Sequence, residues 1–558
     1  MRVFQSSVAL LAALLVSHAA QSAAAATSCP DLRSTLSFTD LNGTVIRSEY
    51  IPAWTNVTVG GEQGLWCMNY TVPEVDICRV TLNIGTSPQS NTFVEVWLPS
   101  GSGDDAWNGR FLSTGGSGLS GCVDYGAMVY TSSLGFAATG DNSGHNGTAG
   151  NGTAFLNNND VVIDFSYRAR HSAVLAGKII VRQFYGEPHN KSYYYGCSTG
   201  GRQGLKAAQM FPNDFDGIIA GAPASDFNHL ASWSGHFITL TGLNESDPRW
   251  LGVTEWTAVH AEVLKQCDPL DGVLDGILED SSICNFNPET ILCSRTNSTG
   301  CLTPEQAHAV REVFSPVYGV NGSFVMPRLS PSAELAAFLG MGFGALAGGL
   351  VGPGPQWYQN VIYNNTSWDP TTFNALDIAY ADSLDAQHGY VSSFYGDLSA
   401  FRAAGGKLIS YHGGADPVIP GEQAMRYYNH VASTMNASHT DLDGFFRLFR
   451  ISGMGHCESG NGAWAFGQTI DARNASTAIL LDLVDWVEKG EAPEVMVGTK
   501  FVNDTSADGI EFERPHCRYP YRTTFKEGNP NITSSWGCEY IEDWNVCGGS
   551  SDRLPKLC

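Results

Sequence analysis

The chain has 558 residues and carries 55 acidic against 31 basic side chains, a formal net charge of −24. Such a surface repels polyphosphates and anionic lipids alike, which excludes nucleic acid and membrane as partners. The length allows one large domain with insertions or several domains.

The first 25 residues predict a secretory signal peptide. Arg2 precedes the apolar run Val8 to Val16, and small residues follow through Ala19, Ala20 and Ala23 to Ala26. The run is too short to span a bilayer, so a soluble, secreted, extracellular chain is expected from about residue 26. Two features agree with that compartment. The cysteines number 14, an even count that points to disulfides. Roughly fifteen Asn-x-Ser/Thr sequons, among them Asn42, Asn56, Asn69, Asn146, Asn190, Asn297, Asn436 and Asn531, mark surface loops if glycosylated.

Residues 91 to 220 alternate strand-like runs with Gly-rich loops and helical patterns. Strands are predicted at 93–98, 111–112, 135–139, 192–195 and 216–220, and helices at 164–184 and 201–210. Strand followed by helix, repeated, specifies a parallel sheet with crossovers. The alternation stops at about 225. Up to 400 the chain is rich in loops and local cysteine pairs, with short helices such as 304–313. The pattern resumes with strands at 407–411 and 445–451 and helices at 421–433 and 476–488. The expected architecture is therefore α/β, an α/β-hydrolase fold with a large inserted lid domain. Residues 26–224 and 401–558 form the catalytic domain, and 225–400 form the lid, inserted at the carboxyl end of a strand. The apolar stretch 335–351 holds Gly340, Gly342, Gly344, Gly348 and Gly349, too many glycines for a membrane helix, and predicts a buried or substrate-lining lid segment. After 500 an extended tail pinned by disulfides is expected.

Gly196-Cys197-Ser198-Thr199-Gly200 sits where a predicted strand passes into a helix, the setting of a nucleophile elbow. Small neighbours let the strained turn expose the Ser198 hydroxyl and aim the Thr199 N–H at a developing oxyanion. A hydroxyl needs a base, and hydrolase order places an acid and then a histidine downstream. Asp416 follows the strand ending at Tyr411, and His456 lies in the Gly-rich turn after the next strand. His456 would take the Ser198 proton and return it to the leaving alcohol while Asp416 orients it. Of the rival histidines, His412 lies too close to the aspartate and His145 precedes the nucleophile. Cys197 and Cys457 stand beside the nucleophile and the base, so a disulfide between them would tie the two loops. The second oxyanion donor is expected from Thr114-Gly115-Gly116-Ser117-Gly118, with Gly116 as the candidate.

With these paired Cys-Ser, Asp and His-Cys elements, the chain resembles the fungal tannase and feruloyl esterase family over almost the whole mature length. Gly196-Cys197-Ser198-Thr199-Gly200-Gly201-Arg202-Gln203-Gly204 and Arg514-Pro515-His516-Cys517-Arg518-Tyr519-Pro520 resemble its feruloyl esterase B branch more than typical tannases. The resemblance implies a structural Ca2+ in the lid, held by the Asp268, Asp271 and Asp275 side chains and the Val273 and Ile277 carbonyls, remote from the chemistry. Read from the residues alone, the loop is no EF-hand, because no acidic side chain stands at the twelfth position from Asp271. A Cys267–Cys284 disulfide would close it. Cys29–Cys78, Cys67–Cys122 and Cys293–Cys301 are further expected pairs, with the last four cysteines paired among themselves, although spacing alone fixes no connectivity.

The implied activity is hydrolysis of hydroxycinnamate (feruloyl) esters on plant cell-wall polysaccharide through an acyl-enzyme, by a monomer or homodimer. Phe338, Phe343, Trp357 and Tyr358 are candidates to line the acyl pocket. The alternatives are a tannase, cleaving galloyl esters with the same machinery, and a catalytically silent hydrolase-like binding protein.

Overall fold

In the computed structural model, residues 26–59, 67, 70–294, 299–340, 345–348 and 352–541 are described. The expected signal peptide, Phe343, Cys547 and Cys558 lie outside them. Nine strands form one sheet: β1 (Asn42–Ile51), β2 (Ile77–Ser87), β3 (Ser90–Pro99), β4 (Arg110–Thr114), β5 (Ala137–Asp141), β6 (Lys191–Cys197), β7 (Gly217–Gly221), β8 (Lys407–Gly413) and β9 (Phe446–Ile451). Their spatial order is β1-β2-β3-β5-β4-β6-β7-β8-β9. Pairs from β1 to β5 are antiparallel, and every pair from β5 through β4 to β9 is parallel. This is the α/β-hydrolase fold.

The central strands read as short, almost continuous apolar runs because both of their faces are covered. On β6 the period of two sends Tyr194 into one core and Tyr193 and Tyr195 into the other. Helices α1 (Tyr125–Ser133), α2 (Ala169–Tyr185), α3 (Thr199–Met210), α6 (Glu422–Thr434) and α7 (Ile479–Lys489) supply the covers. Ala173, Ile180, Leu205 and Tyr428 pack on one face, and Tyr130, Leu480, Leu483 and Trp486 on the other.

Between β7 and β8 the chain builds a separate core around α4 (Phe227–Thr241) and α5 (Val253–Cys267), with Trp233, Trp256 and Trp357 buried in it. Phe155, Val161 and Phe165, which precede α2, also pack there, so part of the segment between β5 and α2 sides with the lid. The predicted helix over 164–184 begins differently. A π-turn spans Asp164–Arg168, and the Asp164 carboxylate is held by the Thr86 and Ser90 hydroxyls and Arg168. Within the apolar stretch 335–351, Leu346 is fully buried, and no described helix is long and apolar enough to cross a membrane.

Two segments depart from expectation. β1 and β2 extend the sheet by two strands, and β1 shows mostly half-buried residues, so its alternation signal is weak. The C-terminal region is not an extended tail but two hairpins, β10 (Val495–Phe501) with β11 (Ile510–Cys517) and β12 (Tyr521–Phe525) with β13 (Trp536–Tyr540). Cys517–Cys538 joins them.

Candidate active site

β6 ends at Cys197 and α3 starts at Thr199, which leaves Ser198 alone to turn the chain, at φ 63° and ψ −121°. A non-glycine residue holds such a conformation only where its surroundings impose it. Here the Ser198 N–H donates to the Gly221 carbonyl at 3.0 Å, and the Ser198 carbonyl accepts from the Arg202 and Ala224 N–H groups at 3.0 and 3.1 Å. The flanking glycines are obligatory: a Cβ on Gly201 would lie 2.4 Å from the Gly221 carbonyl oxygen.

β8 and β9 deliver the other two residues to the same edge of the sheet. Asp416, fully buried, accepts from the Val418 and Ile419 N–H groups through one carboxylate oxygen, at 2.8 and 3.0 Å. Its other oxygen stands 2.8 Å from His456 Nδ1. Burial pushes the Asp416 carboxyl up, but the combined pull of His456 and His412 outweighs it and holds the group well below the usual carboxylate range. Asp416 is thus a fixed anion that keeps the His456 Nδ1 proton inward and leaves Nε2 to face the cavity.

Cys197 and Cys457 form a disulfide that clamps the Ser198 turn to the His456 turn. Ser198 and His456 line one cavity. No hydrogen bond yet joins them among the described residues, a common condition before substrate tightens a site. The rivals fall away on geometry. His412 is 1% exposed, lies 3.2 Å from Asp416 and directs Nε2 at the Ile419 carbonyl. His145 packs edge-on against Phe155, and burial lowers its pKa to about 4.

The oxyanion loop is corrected by one residue contact. The Gly116 N–H donates to Gln203 Oε1 at 3.0 Å, so it is spent on α3 and is not the free donor expected. Gly118, two residues on, shares a cavity wall with Ser198 and Thr199, and its carbonyl accepts the Thr199 hydroxyl at 2.7 Å.

Two cavities meet at Ser198. One is mostly apolar, walled by Phe227, Leu230, Trp233, Pro353, Val418 and Ile419, with Ser234 among its few polar side chains. Trp357 and Tyr358 do not line it. They are buried in the lid core, where Trp357 donates to Asn228 and packs against Phe155 and Phe227. Phe338 packs against Trp250. The second cavity, of about 480 Å³, holds His456, Tyr130, Tyr195 and Gln468.

The residues just past the 268–277 loop brace the turns that carry Asp416 and His456. The Ser281 hydroxyl donates to the Gly414 carbonyl on the Asp416 turn at 3.0 Å, and the Ser452 hydroxyl donates to Glu279 Oε2 at 2.6 Å on the His456 turn. Arg514 donates to Glu279 and, at 2.9 Å, to Asp275. Arg514 belongs to the Arg-Pro-His-Cys run noted in the sequence, which gave no sign of this role. Each carboxylate in the loop accepts a local N–H: Asp268 from Gly276, Asp271 from Val273 and Glu279, and Asp275 from Ile277. Burial, with repulsion from Asp275 and Asp268, pushes Asp271 up to about 6, while Asp275 is paired with Arg514. Among the described residues no three His, Cys, Asp or Glu side chains gather into a metal cluster; any cation here would need the backbone carbonyls as well. Cys267–Cys284 closes the loop, and Cys29–Cys78, Cys67–Cys122 and Cys293–Cys301 are also formed.

Arg202, one turn into α3, was quoted only as part of a motif. Fully buried, it donates to the Phe165, Ser166 and Val391 carbonyls at 2.9, 3.0 and 3.1 Å, and so binds the nucleophile helix to the lid.

Residues 78–539 match the family described as tannase and feruloyl esterase. The chain is 46% identical over 484 residues to a protein of Aspergillus flavus named probable feruloyl esterase B-2, covering 85% of this chain and 89% of that one. It is 43% identical over 520 residues to a probable feruloyl esterase B-1 of Aspergillus oryzae, covering 91% and 92%. The crystal structure of feruloyl esterase B from Aspergillus oryzae superposes with a TM-score of 0.85 at 42% identity, over 92% of this chain and 99% of that one. Tannin acyl hydrolase from Aspergillus niger, at 22% identity and a TM-score of 0.70 over 92% and 95%, shares the fold.

Proposed function

This chain belongs to the tannase and feruloyl esterase family and is a carboxylic ester hydrolase, and on that premise we propose that it cleaves hydroxycinnamate esters by a serine acyl-enzyme mechanism. His456 Nε2 takes the Ser198 proton as Oγ attacks the ester carbonyl. The oxyanion is held by the Thr199 N–H and, in place of Gly116, the Gly118 N–H. The imidazolium, stabilised by Asp416, returns the proton to the leaving alcohol oxygen. Water then repeats the sequence on the acyl-Ser198 ester, with His456 again the base. The observation that carries this reading is the Cys197–Cys457 disulfide, which couples the two reacting turns where packing alone would have to hold them.

The apolar wall beside Ser198 favours a feruloyl over a galloyl acyl group. A galloyl ring brings three hydroxyls, which would lose their water against a wall built mostly of Phe227, Leu230, Trp233, Val418 and Ile419, with few polar side chains to replace it. A feruloyl group brings one hydroxyl, a methoxy group and an apolar propenoyl arm, at far less desolvation cost. The relatives named feruloyl esterase support the same choice. Turnover of methyl ferulate and methyl gallate by the parent, beside Ser198→Ala, tests it. Ferulate should be preferred at least tenfold and Ser198→Ala should be inactive with its fold intact. A tenfold preference for gallate would turn the assignment to tannase, and a Ser198 unreactive to a fluorophosphonate would turn it to a silent binding protein.

The 268–277 loop is proposed to hold Ca2+ through Asp268, Asp271 and Asp275 and the Val273 and Ile277 carbonyls. Bound there, the ion would neutralise three mutually repelling carboxylates and fix the loop. The protein is proposed to be secreted and glycosylated and to act on plant cell-wall polysaccharide such as xylan. Calcium at a hundredfold excess over its Kd should add about 2.7 kcal/mol of stability. Asp271→Asn should abolish that increment in a thermal melt, and an unchanged response would remove the loop as the site.

A further inference from the structure

The loop between β4 and α1 has to offer the second oxyanion donor, and its backbone N–H groups narrow the choice to two. Those of Gly115, Gly116, Leu119, Ser120, Gly121 and Cys122 all donate within the fold. Among the described residues, the N–H groups of Ser117 and Gly118 are the two in this run without a hydrogen-bond partner. Gly118 lines both cavities that meet at Ser198, whereas Ser117 borders the His456 cavity and not the apolar one.

The direction of the Gly118 N–H is set by the two peptides around it. The Ser117 carbonyl accepts from the Ser120 N–H at 2.9 Å, which holds the peptide that carries the Gly118 N–H. The next peptide is held at both ends. Its N–H, on Leu119, donates to the Ala149 carbonyl at 2.8 Å, and its carbonyl, on Gly118, accepts the Thr199 hydroxyl at 2.7 Å. Gly118 joins the two peptides at φ 51°, and a Cβ there would lie 2.7 Å from the Ala149 carbonyl oxygen, so glycine is required. Ser120 and Ala149 lie in or near the loop itself. The Thr199 hydroxyl instead comes from the residue that follows the nucleophile, and Thr199 is only 2% exposed. One residue thus carries the first oxyanion donor on its backbone and grips the second donor's residue with its side chain.

The geometry points to Thr199 as a positioning residue through its side chain: the hydroxyl sets the Gly118 N–H against the Thr199 N–H so that both meet one oxyanion. This rests on the reading that Ser198 attacks and that these two N–H groups hold the oxyanion, and it adds a side chain where that reading uses backbone alone. Without the hydroxyl, Gly118 keeps its N–H but its carbonyl loses its partner, and the peptide can turn its lone pairs toward the place where negative charge develops. Fixed donors stabilise an oxyanion because they need no reorientation as the charge forms. Acylation and deacylation each pass through such an oxyanion, so both steps slow together and KM stays where it was.

The test compares the parent with Thr199→Val, which keeps the shape and the backbone N–H but lacks the hydroxyl, and with Thr199→Ser, which keeps the hydroxyl. The substrate is whichever methyl ester, ferulate or gallate, the parent prefers. In Thr199→Val kcat should fall about thirtyfold, less than the roughly 10²–10³ that follows deletion of a donor, with KM changed by no more than about threefold. Benzeneboronic acid adds the Ser198 oxygen to boron, with the proton passing to His456, and so mimics the tetrahedral state. Its Ki should rise by about the factor that kcat/KM loses. Thr199→Ser should keep kcat within about threefold of the parent, and Thr199→Ala, which introduces no new atoms, repeats the measurement where valine does not fold. A Thr199→Val kcat within about threefold of the parent would overturn the inference while leaving the serine-esterase reading in place. An equal loss in Thr199→Ser, or a rise in KM at unchanged kcat, would do the same, since either assigns the effect to packing. If neither methyl ester were cleaved by the parent, the reading beneath would fall, and the inference with it.

Discussion

Among the described residues Arg514 is the cation paired with Glu279, the buried carboxylate that accepts from Ser452 on the His456 turn, and replacing it with methionine tests how tightly this pair governs that turn. Arg514 is 1% exposed and Glu279 6%, and the pair is joined by a direct hydrogen bond. Arg514 also reaches Asp275 at 2.9 Å and lies over the Trp536 ring at 3.9 Å. Arg514→Met keeps much of the side-chain volume and leaves Glu279 buried without a counter-charge. Removing one member of a buried pair costs about 3–5 kcal/mol while the other stays charged; burial already pushes the Glu279 carboxyl up to about 7 against the pull of Arg514, so the full loss is expected above neutral pH and a smaller one below it, where Glu279 takes up a proton. Glu279→Gln in that background removes the charge and keeps an acceptor for the Ser452 hydroxyl, so the double variant should recover about half of the loss. Because Ser452 lies four residues before His456, kcat should fall further than KM rises in the single variant, and the double variant should regain part of it. Denaturant unfolding followed by tryptophan fluorescence, beside steady-state kinetics, measures both effects. A loss below about 1 kcal/mol in Arg514→Met, or no recovery in the double variant, would refute the claim that Arg514 serves as that counter-charge.

Three further outcomes are expected. Gln203→Leu strands the Gly116 N–H in a buried site and should cost about 1–3 kcal/mol in the same unfolding measurement. Cys197→Ala/Cys457→Ala opens a link spanning 260 residues; the chain-entropy model sets an upper bound of about 5.6 kcal/mol on the stability lost. Its kcat should drop on the order of a hundredfold as the two turns lose register, and a kcat within threefold of the parent would show the link to be dispensable. His516 donates Nε2–H to the Ala463 carbonyl at 2.9 Å and is buried, which lowers its pKa to about 4. The unfolded chain binds that proton at about 6.5, so the His516 contribution to stability is full above 6.5 and declines as pH falls toward 4. His516→Gln lacks this decline, and the stability gap between parent and variant should narrow by about 1–2 kcal/mol from pH 7 to pH 5.

Much of the fold and of the candidate site is legible in the sequence because it is written in local chemistry. The strands β6 through β9 announce themselves as buried apolar runs, and Ser198 is marked by glycines that only a tight elbow requires. Cys197 and Cys457 point to each other because each adjoins a reacting residue. The family could be read from these motifs for the same reason. What the sequence misplaced depends on partners distant along the chain. Gly116 looks like a free donor until α3 brings Gln203 to it, 87 residues later. Trp357 and Tyr358 look like pocket walls until the lid folds and buries them in its own core, leaving Phe227 and Trp233 to line the cavity.

The sequence by itself therefore determined the chemistry available: a nucleophile, a base, an acid and the covalent clamp between two of them. The tertiary structure decided how that chemistry is enclosed, since the two cavities that meet at Ser198 are assembled from segments hundreds of residues apart. It also decided that Glu279 and Ser281, just past the 268–277 loop, brace the Asp416 and His456 turns. No spacing rule carries such contacts, because burial of an Arg514–Glu279 pair is a property of the packed interior and not of either residue's neighbours in the chain.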